Sequence, residues 1–71
     1  MDITDYDSRS VLVPGTEVLR ETDKALLIRF SNDQELWIPQ SQLHEDSEVF
    51  EMGHAGDLII SRWIAELKEL L

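Results

Sequence analysis

The residues able to do chemistry in this chain are almost all carboxylates. Fifteen Asp and Glu stand against six Lys and Arg, with two histidines and no cysteine. Paired carboxylates act as general acid and base only when a cleft holds them at a set separation and splits their pKa values. A chain of 71 residues buries only about 60% of the surface its unfolded form exposes, which leaves little room for such a cleft. The serines at 8, 10, 31, 41, 47 and 61 lie outside any G-x-S-x-G elbow, and the glycines at 15, 53 and 56 form no phosphate-cradling loop. His44 and His54 have Glu45, Asp46 and Asp57 nearby, but the spacing matches neither an HExxH helix nor a calcium loop. Lack of cysteine removes thiol catalysis, thiolate zinc sites and a disulfide scaffold together. The expectation is a non-enzymatic protein with no cofactor and no metal.

Net charge is the least ordinary property. It is −9 in 8.2 kDa, which disfavours direct binding of nucleic acid or an anionic membrane, since both depend on cationic contacts. Between Arg29 and Arg62 there is no Lys or Arg, while Asp33, Glu35, Glu45, Asp46, Glu48, Glu51 and Asp57 fall in that stretch. Self-repulsion on one face costs stability that a small domain has little of. An uncompensated acidic face therefore points to a basic partner. Asp33/Glu35 and Asp46/Glu48 also have i, i+2 spacing. On a strand that sets side chains about 6.7 Å apart on one face, close to the axial separation of alternate phosphates at about 3.4 Å each.

The elements that would position these acids read as follows. Residues 1–10 form an acidic tail anchored only by Ile3 and Tyr6, and residues 11–71 a single domain. Val11-Leu12-Val13 is a short apolar run ended by the turn signal Pro14-Gly15. Thr16 to Glu21, Lys24 to Phe30 and Glu35 to Ile38 make a three-stranded meander. Its middle strand is expected to be covered on both faces, and Pro39 ends the third or sets it at an edge. Gln40 to His44 is a connector with room for one helical turn. Ser47 to Met52 and Asp57 to Ile60 read as a fourth and fifth strand. Ser61 is the expected N-cap of a C-terminal helix of about ten residues, whose stripe is Trp63, Ile64, Leu67, Leu70 and Leu71. Trp63 is expected to anchor that helix. Trp37 follows Glu35 on one strand face, so both tryptophans read as packing residues rather than base-stacking platforms. The fold class is α+β: a small twisted antiparallel sheet of four or five strands, open or barrel-like, with one C-terminal helix.

Lys24-Ala25-Leu26-Leu27-Ile28, then Glu35-Leu36-Trp37-Ile38-Pro39-Gln40-Ser41-Gln42-Leu43, and Trp63-Ile64-Ala65 resemble a group of small phage and prophage proteins. These share a K-A-hydrophobic strand, a W-[IL]-P-x-S-Q segment and a C-terminal W-hydrophobic-A helix. The resemblance covers about residues 18–71, with W-I-P-x-S-Q its most specific part, and it implies origin in a mobile element. Gln40 stands where the group often has a basic residue. In size and charge the chain is also similar to anti-CRISPR inhibitors, some of which imitate DNA.

Composition and resemblance together predict an anti-CRISPR-like inhibitor acting in the bacterial cytoplasm. Asp33, Glu35, Glu45, Asp46, Glu48 and Glu51 would dock on a basic surface of a defence complex, a CRISPR effector subunit, by DNA mimicry. The alternative is an accessory module of phage recombination or replication that binds a partner through an apolar patch around Trp37. No apolar run exceeds four residues and Met1 to Asp5 lacks a signal-peptide pattern, so no membrane association is expected. Oligomeric state is left open.

Overall fold

The computed structural model describes residues 2–71. Its order is β1 (Thr4–Asp5), β2 (Ser10–Glu21), β3 (Ala25–Arg29), β4 (Glu35–Pro39), a 3-10 turn (Gln40–Gln42), β5 (Ala55–Ser61) and α1 (Arg62–Leu67). All ladders are antiparallel; the sheet runs β1-β2-β3-β4, and β5 pairs with β2. This is the expected α+β class. The sheet is not closed. A single bridge, Leu43 to Ile60, ties the segment after β4 to β5.

β2 is the organising strand. Glu17 sits opposite Arg29 of β3 on one side and Ala55 of β5 on the other. Pro14 and Gly15 do not end the strand, as the turn signal suggested. They lie in a register shift between Val13 and Thr16, where a bulge tolerates a missing donor and Gly15 takes φ of 71°. Thr16 is buried there and its hydroxyl donates to the Gly56 carbonyl at 2.9 Å. The resulting bend wraps β2 around a core that includes Val11, Val13, Val18, Leu26, Ile28, Phe30 and Ile38.

β3 is interior to the ladder but covered on one face only. Leu26, Ile28 and Phe30 are buried, whereas Leu27 is half-buried and Arg29 exposed. The fourth strand expected at Ser47–Met52 is not formed. The Ser47 hydroxyl takes over the local pairing, donating to the Val49 carbonyl at 2.9 Å and accepting the Ile59 N–H at 3.2 Å. Val49 still reaches the core. Of the expected tail, Met1 lies outside the described residues, and residues 2–10 contribute β1, which pairs Thr4 with Leu12 and Asp5 with Val11, while Ile3 packs against the core.

The helix begins where expected. Ser61 Oγ accepts the Ile64 N–H at 3.1 Å and donates to Gln42 Oε1 at 2.6 Å. It ends after six residues. Glu69 N–H donates to Glu66 and Leu70 N–H to Ala65, with Glu69 at φ 60°, a left-handed reversal that closes the last turn. Ile64, Ala65 and Leu70 face the core, while Trp63, Leu67 and Leu71 face outward. The expected stripe is therefore split, and Trp63, 60% exposed, does not anchor the helix. Once the chain reverses at Glu69, seven- and eight-residue helical spacing no longer applies.

Candidate protein-binding surfaces

The six acids expected to form one array occupy distinct settings. Asp33 takes the left-handed position of the hairpin turn between β3 and β4, at φ 67°. Its N–H donates to the Phe30 carbonyl at 2.9 Å, and Phe30 N–H to the Gln34 carbonyl at 2.8 Å, a three-residue loop that favours a short polar residue or glycine there. Glu35 opens β4 opposite Arg29. The Arg29 guanidinium lies 3.4 Å from Glu17 and 3.9 Å from Glu35, one cation between two carboxylates. Glu48 accepts the Asp57 N–H at 2.9 Å and overlies Gly56, where a Cβ would come within 2.8 Å of its carboxylate. Glu51 lies 3.3 Å from His54 Nε2. Glu45 is exposed, and Asp46 belongs to the corner described next. Asp33 precedes β4 and residues 46–48 lie outside any strand, so neither i, i+2 pair has the strand geometry that matched a phosphate repeat.

A different acidic grouping forms where the N-terminal segment meets the segment after β4. Tyr6 stacks edge-on against His44 at 5.0 Å, and its hydroxyl donates to Asp46 Oδ2 at 2.5 Å. That hydrogen bond holds the phenol above its ordinary pKa of 10.0, with smaller contributions from burial and from the charges of Asp46, Asp7 and Glu45. His44 Nδ1 accepts the Asp46 N–H at 3.0 Å, and Nε2 lies 3.4 Å from Asp7. Asp7 titrates below its ordinary value of 3.8, chiefly because its carboxylate accepts the Arg9 N–H, against an opposing desolvation. Tyr6, Asp7 and His44 were not among the expected site residues. The sequence signals for them were a lone aromatic amid the acids of residues 2–7 and His44 beside Glu45 and Asp46.

The outer face of the meander is apolar at its centre. Trp37 is 42% exposed and sits opposite Leu27, which in turn is opposite Arg20. The half-buried Ala25 and Pro39 form the next row and the Glu35–Arg29–Glu17 ladder the row beyond. Trp37 is thus a surface residue, not the packing residue expected. The alternation of Glu35 and Trp37 against Leu36 and Ile38 carried that signal. Phe50 and Met52 are exposed on the loop before β5.

Beside the start of α1, Ser8, Arg9, Ser61, Arg62, Trp63 and Glu66 line an open depression of about 380 Å³. Arg62 is held there by Asp5. Among the described residues no three His, Asp or Glu side chains converge in a way that could hold a metal ion, and no helix is long and apolar enough to cross a membrane. No family model matches the chain, and no curated protein or solved structure matches it either.

Proposed function

We propose that this protein works by binding another protein, without catalysis, through the outer face of β2, β3 and β4, with Trp37 as the anchor. The observation that carries this reading is the half-exposed indole set over Leu27 and bordered by a charged ladder. Interfaces concentrate their energy in a central aromatic ringed by polar groups. An indole left this exposed forgoes on the order of 1–2 kcal/mol of burial, against a core worth roughly 3–5 kcal/mol in a domain of this size. The excess of acid favours a basic partner. The resemblance to phage and prophage proteins supports a partner in phage recombination or replication.

The second reading is the anti-CRISPR-like one, in which a DNA-mimicking acidic surface docks on the basic groove of a CRISPR effector. What favours it is the gathering of Asp7, Glu45 and Asp46 around Tyr6, a group that holds two of the six acids expected.

Affinity capture from a bacterial lysate at low salt separates the two. Under the first reading, Trp37→Ala loses the retained protein while the fold persists, and a triple Asp7→Lys, Glu45→Lys, Asp46→Lys variant keeps it. The opposite pattern, with retention abolished by moderate salt, selects the second.

A further inference from the structure

We propose that the free edge of β4 takes up an extended, basic segment of the partner protein as a further antiparallel strand, on the reading that Trp37 anchors the interface. Backbone geometry leads there. Phe30 N–H bonds to the Gln34 carbonyl and Gln40 N–H to the Lys24 carbonyl, and the β3–β4 register pairs Ile28 with Leu36 and Leu26 with Ile38. Antiparallel ladders alternate strictly between bonded and non-bonded pairs. Gln34, Leu36, Ile38 and Gln40 therefore turn their backbone groups toward β3. Glu35, Trp37 and Pro39 turn theirs away.

Among the described residues the sheet has no neighbour beyond β4. Among the described residues no hydrogen bond reaches the N–H or carbonyl of Glu35 or Trp37, or the carbonyl of Pro39. Natural sheets blunt such edges with charge and proline, and here Glu35 and Pro39 confine the opening to a short stretch. That stretch has Trp37 at its middle. An added strand would exchange paired bonds at Glu35 and Trp37 and donate one to Pro39, the arrangement of strand addition.

Side-chain chemistry selects the occupant. The incoming residue opposite Trp37 lies on the outer face beside the indole and is apolar or β-branched. The next, opposite the half-buried Leu36, points the other way and is apolar too. The one after faces Glu35, which shares Arg29 with Glu17 and follows the exposed turn residue Asp33 by two positions, so it is Lys or Arg. The pattern read is apolar, apolar, basic. A second copy is disfavoured as occupant because it would bring together two chains of charge −9.

The test starts from a display library of short random peptides panned against the whole protein. Enrichment of the apolar-apolar-basic pattern is expected. A labelled peptide of that sequence should then slow exchange of the Glu35 and Trp37 amides, leaving those of Leu36 and Ile38 as protected as before. Trp37→Ala should weaken it by about thirtyfold or more. Glu35→Pro, which removes an edge N–H that has no ladder partner, should weaken it by about tenfold beyond Glu35→Gln. The same peptide N-methylated at the residue facing Trp37 should fail to bind, a readout that does not depend on the variant folding. No enrichment, or protection at other amides, overturns the proposal. Binding that needs Trp37 but ignores Glu35→Pro and N-methylation overturns strand addition and leaves the Trp37 surface standing; indifference to Trp37 overturns both. A dimer by sedimentation with the Glu35 and Trp37 amides already protected would give the edge to a second copy and overturn the basic segment.

Discussion

The Tyr6 hydroxyl and the Asp46 carboxylate, forty residues apart, meet at 2.5 Å. This bond fastens the N-terminal segment to the segment following β4. Because Asp46 accepts the hydrogen bond from the phenol, the folded state holds the phenolic proton more tightly than the unfolded chain does, and the Tyr6 pKa is raised above 10.0. The contribution is therefore complete below pH 10 and is lost as pH rises through the folded value. Tyr6 is the only tyrosine, so tyrosinate absorbance reports it alone. Its midpoint should lie above 10.0 and fall toward that value in Asp46→Asn.

Asp7 works at the opposite end of the scale. Its folded pKa lies below 3.8, led by the Arg9 N–H, so what it contributes is present above that value and falls away as pH drops through the lowered one. The Asp7 carboxyl resonance should titrate below 3.8. Asp7→Asn should flatten the acid limb of the stability curve and free β1, together with the Leu12 amide of β2 that faces it, to exchange faster, with the β3–β4 amides unchanged.

The split helix stripe gives a paired test. Ile64 is 1% exposed, and its truncation to alanine should cost about 2–4 kcal/mol, a large part of what the domain has. Trp63→Ala should cost under about 1 kcal/mol by urea denaturation, because exposed side chains contribute little to stability. A Trp63 loss equal to that of Ile64 would restore the indole as the helix's anchor.

The meander and the helix start were legible because local chemistry decides them. Alternation, the Asn32-Asp33 turn, Pro39 and the Ser61 cap each act within a few residues. β1 was not, because it is two residues long and is held by partners 40 and 57 positions away, Tyr6 to Asp46 and Asp5 to Arg62. Ser47–Met52 had the composition of a strand, but one hydroxyl and one carboxylate redirect its bonds to β5. Of the surface proposed for binding, Trp37 was singled out by type and its outward direction lay in the alternation. What periodicity could not convey was that no fifth strand would lie beyond β4. The acidic corner was illegible for the reason β1 was: it exists only once distant segments meet.

Among the described residues, two positions hold non-glycine residues where glycine is favoured, and they predict gains in stability. Asp33 and Glu69 have φ of 67° and 60°, a region that costs an L-residue roughly 1–2 kcal/mol, offset in part by glycine's greater freedom in the unfolded chain. Glu69 is exposed and makes no side-chain bond among the described residues, so Glu69→Gly should raise stability by about 0.5–1 kcal/mol, with the Leu70 N–H to Ala65 carbonyl bond kept. Asp33→Gly should behave alike, since the Phe30–Gln34 closure uses only backbone groups. The second substitution also bears on function. If Asp33 serves only the turn, Asp33→Gly stabilises the protein and leaves partner affinity unchanged. If its carboxylate meets a basic partner, the same variant is more stable yet binds more weakly. Urea denaturation and binding measured on one sample separate these outcomes, because a merely destabilised protein cannot produce the second.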